Sequence, residues 1–219
     1  MDFTGHLQDR LVPHFRFRYW GEAMTETTGP LSLAQRTLEL CKDLGALSFG
    51  KFTLSSGLES TYYFDGRLLT LSPEGATVVA QALLPLVRAS GAEAVGGPTL
   101  GADPMVAAIA MLSYQDGGMP VPAFIVRKDS KDHGMGKLIE GPLPSKAKVA
   151  IVDDACSVGG SLLHAVRAAE GAGCEVALVA AILDRHQGGS KQFLAEGYSF
   201  RAILEADKAG NIAPAAEFS

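Results

Sequence analysis

Cysteine is scarce and odd in number: Cys41, Cys156 and Cys174 are the only three in 219 residues. They show no metal-ligand spacing, so a reducing, cytoplasmic setting is the simplest expectation. No apolar run approaches the roughly 18 residues of a membrane-crossing helix, and no membrane association is expected. Positive charge is not in excess either. The balance of 19 Lys and Arg against 24 Asp and Glu gives a net charge of −5, so nothing draws the whole molecule to nucleic acid, and any anion it binds must be held locally. Two phosphate signatures are also missing. No G-x-x-x-x-G-K-[ST] occurs, and Gly134-Met135-Gly136 fails as a dinucleotide fingerprint because position 139 is Ile. Residues 1–30 lack the apolar stretch and cleavage site of a secretory signal. Their arginines suggest an organelle presequence, but Asp2, Asp9 and Glu22 argue against one. This extension is read either as preceding a start at Met24 or as an arm that packs on a partner.

What is present is an ordinary globular composition, 47% hydrophobic and 20% charged, with length for one good core or one core plus a small subdomain. The most informative segment is residues 149–161. Val149 to Val152 are short and mostly β-branched, as a strand buried on both faces requires. Asp153 and Asp154 fall where that strand is expected to end, which is where open α/β sheets bind ligands. Ser157, Val158, Gly159, Gly160 and Ser161 then form a loop whose backbone N–H groups stay accessible, and a helix from about Leu162 adds its positive end for a phosphate dianion. The carboxylates suit sugar hydroxyls or a metal. A Walker B strand also ends in acids, but the missing P-loop argues against it. For this segment alone, an ordinary strand-loop-helix junction stays open. Cys156 is read as a small filler rather than a nucleophile. The order of groups resembles the 5-phosphoribosyl-1-pyrophosphate (PRPP) motif of type I phosphoribosyltransferases. That resemblance implies that the acids meet the ribose 2- and 3-hydroxyls and that the loop wraps the 5-phosphate.

Around this segment the pattern alternates. A first helix follows Ser32, with Leu33, Thr37, Leu40, Cys41 and Leu44 at helical spacing and Gly45 as its stop. Phe52–Leu54 and Tyr62–Asp65 read as a hairpin about a Ser-Ser-Gly turn. Ser72-Pro73 opens a helix towards Ala89, with a kink possible at Pro85. Then come strand Ala94–Gly97, helix Asp103–Tyr114, strand Ala123–Arg127, strand Lys148–Asp153, helix Leu162–Gly171, strand Val176–Leu183, helix Ser190–Glu196 and strand Phe200–Leu204. Alternating units of this kind predict an α/β fold, a parallel β-sheet flanked by helices. The stretch from Lys128 to Ser145 is long, polar and expected to be a binding loop or lid.

Arg127-Lys128-Asp129-Ser130-Lys131-Asp132-His133-Gly134 concentrates three cations beside a histidine. A solvated surface loop is the plain reading. Next to a phosphate site, such a loop could instead close over pyrophosphate and stabilise charge as it departs. The segment resembles the R-K-x-x-K-x-H-G catalytic loop of the orotate phosphoribosyltransferase family. Phe49 to Gly57 with Tyr62-Tyr63-Phe64-Asp65 resembles that family's N-terminal hood, and Asp184-Arg185 resembles its Asp-Arg pair, whose arginine contacts the orotate. Together the motifs span about Leu38 to Gly189. Two usual lysines are absent, one at Ser55 and one in Gly97-Pro98-Thr99-Leu100-Gly101-Ala102. Arg67 is a candidate substitute, and backbone N–H groups of Thr99 to Gly101 remain available for pyrophosphate.

The resemblance implies Mg²⁺-dependent transfer of the 5-phosphoribosyl group from PRPP to orotate in pyrimidine synthesis. It assigns Arg127, Lys128, Lys131 and His133 to pyrophosphate, with Lys131 and His133 as the candidate catalytic groups. Asp153, Asp154, Ser157, Val158, Gly159, Gly160 and Ser161 would hold the phosphoribosyl part, and Tyr63, Phe64, Ser157 and Arg185 the orotate. It further implies one phosphoribosyltransferase domain over 31–219, with hood elements at about 31–70 and the PRPP-binding core at about 71–205. A homodimer that shares the loop across its interface is also expected. A phosphoribosyltransferase for another base and a non-catalytic PRPP sensor are the alternatives.

Overall fold

The computed structural model describes residues 31–53, 59–128 and 138–218. The expectations that fell on residues 1–30, Ser55, Lys131 and His133 lie outside these. The first helix, α1 (Leu33–Asp43), starts as expected at Ser32. Its hydroxyl accepts from the Gln35 N–H while the Gln35 side chain accepts from the Ser32 N–H, at 3.2 and 2.8 Å, so two end donors are satisfied reciprocally. Strands β1 (Leu47–Thr53) and β2 (Glu59–Phe64) form the antiparallel hairpin. Both are longer than their sequence suggests, because an irregularity between Phe49 and Phe52 breaks the alternation that marks a strand. A short helix not foreseen, α2 (Gly66–Thr70), is capped by the Asp65 carboxylate. It leads into α3 (Pro73–Ala89), which runs through Pro85 without a break.

The core sheet contains β3 (Ala94–Pro98), β4 (Ala123–Val126), β5 (Ile139–Glu140), β6 (Lys148–Cys156), β7 (Glu175–Asp184), β8 (Phe200–Ala206) and β9 (Ile212–Pro214), in spatial order β5-β4-β3-β6-β7-β8-β9. The five inner strands are parallel, as expected, while β5 and β9 add antiparallel edges. Two or three residues are too few to show a period, so neither edge was legible. Ile139–Glu140 therefore gives the end of the supposedly structureless 128–145 stretch a place on the sheet. Helices α4 (Asp103–Gln115), α5 (Gly160–Gly171) and α6 (Gly189–Ala195) complete the layers.

Along β6 successive side chains point to opposite faces. Ala150 and Val152 join a core covered by α1, α3 and α4, whereas Val149 and Ile151 join one covered by α5 and α6. Burial on both faces explains the continuous apolar run. The chain leaves β3 towards β4 on one side and β6 towards β7 on the other. The crevice between the carboxyl ends of β3 and β6 is thus a topological switch point, where sheets of this kind bind ligands.

Candidate active site

Pairing decides where the two acids stand. β6 stays beside β3 only as far as Gly96 opposite Ile151, but follows β7 to Cys156 opposite Asp184. The strand runs three residues past its expected end, so Asp153 and Asp154 lie within it, on the edge that β3 has left. Asp153 is 6% exposed, and its Oδ1 accepts the Asp154 N–H at 2.9 Å. Burial, and then the neighbouring Asp154 charge, raise Asp153 well above the usual carboxylate range. Burial likewise raises Asp154; the charge of Asp65 adds to this, while Arg67 and Arg185 oppose it. Backbone crowds the pair from both sides. A Cβ on Gly101 would lie 2.5 Å from Asp153 Oδ1, and one on Gly66 would lie 2.8 Å from Asp154 Oδ2.

Above the acids opens a cleft of about 270 Å³. Its walls are the β3–α4 loop at Thr99 to Gly101, the hood residues Tyr63, Phe64 and Asp65, and the cations Arg67 and Lys128, with Ser161 at one end. An adjoining cleft of about 250 Å³ shares Thr99, Lys128 and Ser161 with it and extends to Gly160 and His164. Arg67 is tied to Asp65 at 2.9 Å on the rim. Thr99 donates its hydroxyl to Asp103 Oδ2 at 2.8 Å, while Asp103 Oδ1 is buried without a hydrogen-bond partner.

The 157–161 loop is shaped by packing against α6. Gly189 N–H donates to the Ser157 carbonyl at 2.9 Å, and Gly159 turns the chain with φ of 82° into α5, which starts two residues before the expected Leu162. No side chain caps that helix, so its first N–H groups face the cleft end with no side-chain acceptor, as an anion site requires. Ser161 and Gly160 line the clefts, whereas Ser157, Val158 and Gly159 form the turn behind them; Val158 is solvent-exposed. Cys156 is buried and its thiol is pushed up to about 12, chiefly by burial, which fits a filler.

Arg127 and Lys128 end β4 at the cleft. The Arg127 N–H donates to the Leu138 carbonyl at 2.9 Å, so both flanks of the 129–137 segment meet there. The Arg127 guanidinium lies 3.6 Å from Glu140, and the His164 ring Nε2 is 2.9 Å from the Arg127 carbonyl. On the hood, Tyr63 packs on Phe52 with ring centroids 5.8 Å apart. Arg185 lies off the cleft wall, its guanidinium over the Tyr62 ring at 5.2 Å and Nη2 3.5 Å from the Phe64 carbonyl, while Nε and Nη1 are buried without partners. Two unsatisfied guanidinium donors suit a planar carboxylate.

The structure also adds Gly66, Asp103 and His164 to the site. Asp103 reads in the sequence as an ordinary first-turn acid and His164 as a helix-surface residue, so neither carried a signal. Three carboxylates, Asp65, Asp153 and Asp154, border one cleft, and Asp103 stands behind its Thr99 wall. The adjacent carboxylates of Asp153 and Asp154 on the cleft wall fit a hard divalent cation such as Mg²⁺ that takes most of its ligands from substrate oxygens and water. No cluster of three metal-ligating side chains occurs among the described residues.

No protein-family profile matches this chain, but individual relatives do. It is 43% identical over 164 residues to the orotate phosphoribosyltransferase of Rhodopirellula baltica, covering 72% of this chain and 84% of the relative. To that of a Nostoc species it is 41% identical over 174 residues, covering 79% and 83%. Among solved structures, Mycobacterium tuberculosis orotate phosphoribosyltransferase in complex with PRPP superposes with a TM-score of 0.63 at 36% identity, over 77% of this chain and 95% of that one. A phosphoribosyltransferase from Corynebacterium diphtheriae gives 0.69 at 36%, over 80% and 96%. Identity at this level over most of the length of each relative shows the family: the chain belongs to the orotate phosphoribosyltransferase family.

Proposed function

We propose that this chain transfers the 5-phosphoribosyl group of PRPP to orotate, giving orotidine 5-phosphate and pyrophosphate, a step of pyrimidine synthesis. The observation that carries the reading is the convergence on one cleft of a buried acid pair, an uncapped helix N-terminus and an aromatic hood. Asp153 and Asp154 accept the ribose 2- and 3-hydroxyls. The N–H groups of the Ser157, Val158, Gly159, Gly160 and Ser161 loop take the 5-phosphate. Tyr63 and Phe64 cover the orotate ring, with Ser157 beside it, and Arg185 supplies two donors for its carboxylate. That last feature favours orotate over a purine or an uncarboxylated pyrimidine, and over a sensor with no base to hold.

Breaking the C1–oxygen bond builds positive charge on the ribosyl centre and negative charge on pyrophosphate, so positioning and neutralisation dominate the chemistry. Backbone N–H groups of Thr99 to Gly101 and the side chains of Arg127 and Lys128 hold the pyrophosphate. Lys131 and His133 approach it as the bond opens, and His133 is the candidate to supply a proton. When bound, Mg²⁺ would supply positive charge to offset the negative charge building on the leaving group, and Asp153 and Asp154 are the residues that would face it. The reaction is placed in the cytoplasm, in keeping with three free, buried thiols and with no helix among the described residues long and apolar enough to cross a membrane. Neither nucleic acid nor membrane is a partner in this reading.

The working unit is a homodimer whose 129–137 segments reach across the interface. Supporting this, α4 exposes Ala107, Met111 and Tyr114 at i, i+4 and i+7, an apolar row along one face of the helix. The test follows orotate absorbance with enzyme, PRPP and Mg²⁺, running uracil, adenine and hypoxanthine in parallel. Loss of orotate that requires both PRPP and Mg²⁺ is the expected result. Turnover of another base alone, or PRPP binding with no turnover, would replace this reading by one of its rivals.

A further inference from the structure

Just beyond the cleft, three side chains that the reaction above does not use are drawn together by strand register. β7 and β8 run parallel with Asp184 opposite Glu205, which sets two carboxylates on neighbouring strands at the same level. Asp184 is buried. Between the two acids sits His186, with Nδ1 3.1 Å from Asp184 Oδ2 and Nε2 3.0 Å from Glu205 Oε2. Its backbone N–H also donates to Asp184 Oδ1 at 2.8 Å. To reach this position His186 adopts φ of 51°, a left-handed conformation that a residue with a Cβ rarely takes. Such a conformation persists only where its surroundings over-determine it, and here three contacts do.

The residue caught inside this turn is Arg185. Its backbone N–H donates to the Cys156 carbonyl at 2.9 Å, which pins it to the end of β6 immediately before the phosphate-binding loop. Its side chain then crosses to the hood, over Tyr62, with two guanidinium nitrogens buried and unpartnered. One flank of Arg185 is fixed by β6 and the other by His186. Without the imidazole between the acids, residue 186 has no reason to stay left-handed, and the direction in which Arg185 leaves the backbone is no longer set.

We propose that Asp184, His186 and Glu205 form a clamp that positions Arg185 for the carboxylate of the base, making His186 a specificity-determining positioning residue. The proposal rests on the orotate reading for its substrate, but the clamp itself has a readout that needs no substrate. In the full-length ¹⁵N-labelled protein, the Arg185 Nε–H signal, assigned by its disappearance in Arg185→Lys, should carry the ring-current shift of a guanidinium over Tyr62. In His186→Ala that shift should collapse. Steady-state kinetics should show an orotate KM raised about 10-fold, with kcat and the PRPP KM within about 2-fold of wild type. His186→Asn should recover part of the loss, because Asn tolerates the left-handed region and keeps one amide donor. His186→Gly, which relieves the backbone but supplies no donor, should not.

An Arg185 signal that stays shifted in His186→Ala overturns the clamp. So does an equal rise in both KM values, which would mark general loosening, or full recovery in His186→Gly, which would assign the effect to backbone strain alone. If the wild type fails to consume orotate, the substrate reading falls, and the Arg185 signal still decides the clamp.

Discussion

Asp153 shows what a single residue contributes and what it costs. An unpaired carboxylate held in the sheet and beside a second one is stabilised in its neutral form, and its pKa is pushed up to about 8. Between the ordinary carboxylate value and about 8, the folded chain holds a proton that the unfolded chain has released, so stability falls as pH rises through that window. Asp153→Asn removes the ionisation. Thermal unfolding should therefore show a flatter pH profile, with the variant gaining about 1–3 kcal/mol at pH 8 and almost nothing at pH 4, while PRPP affinity drops. An unchanged profile would mean that Asp153 ionises freely in the folded protein. Lys131 sits at the opposite extreme. Its role is inferred from the Arg-Lys-x-x-Lys-x-His-Gly spacing alone, and the contact is expected only as charge develops on pyrophosphate. Lys131→Ala should lower kcat by about 100-fold with little change in PRPP affinity; equal kcat values in a steady-state assay would remove it from the mechanism. Both acids were legible as cleft residues because their residue types stand in a recognisable order. Asp103, Gly66 and His164 were not, because nothing local distinguishes a site residue from an ordinary first-turn acid, helix-start glycine or helix-surface histidine.

At the scale of elements, the turn at 157–161 depends on a helix remote in sequence. Helix α6 begins at Gly189, where a Cβ would stand 2.7 Å from both Cys156 Sγ and the Gly159 nitrogen and 2.8 Å from the Ser157 carbonyl. Gly189→Ala should therefore push the turn out of place. About 1–3 kcal/mol of stability should be lost to overpacking, together with a PRPP KM raised well beyond that of orotate. A variant with wild-type PRPP KM would show that the turn keeps its shape without α6. The hood is similarly buttressed from afar. The turn between β8 and β9 brings Ala209 to Thr61, whose hydroxyl donates to its carbonyl at 3.3 Å, so the two halves of the site are braced by the end of the chain. Helix starts at Ser32 and Ser72-Pro73 could be read directly, since capping chemistry is local. The edge strands β5 and β9 could not, since pairing with a neighbour is all that makes them strands.

At the scale of the whole molecule, the exposed apolar face of α4 is the clearest unfinished surface among the described residues. Exposed Leu68 and Leu71 lie on and just after α2, which packs near α4. If the proposed homodimer forms through this face, replacing Met111 and Tyr114 together by Glu should convert it to a monomer in light scattering. If loops are shared between subunits, activity should fall in step with dissociation. A dimer that survives both charges would place the interface elsewhere.

By itself the sequence determined the fold class, through apolar strands alternating with amphipathic helices. It also singled out the candidate reactive groups, through the order Asp153-Asp154, the small-residue loop, the cationic loop and Asp184-Arg185. These are properties of neighbouring residues, and short-range spacing is what a chain displays in one dimension. Only the tertiary structure decided that β6 outruns β3 and leaves its acids on an open edge. It alone decided that Gly101 and Gly66 close upon those acids, that Arg185 turns to the hood over Tyr62, and that His186 lies between Asp184 and Glu205. Each of these depends on strand register between segments tens of residues apart, and register is fixed by burying both faces of the sheet at once.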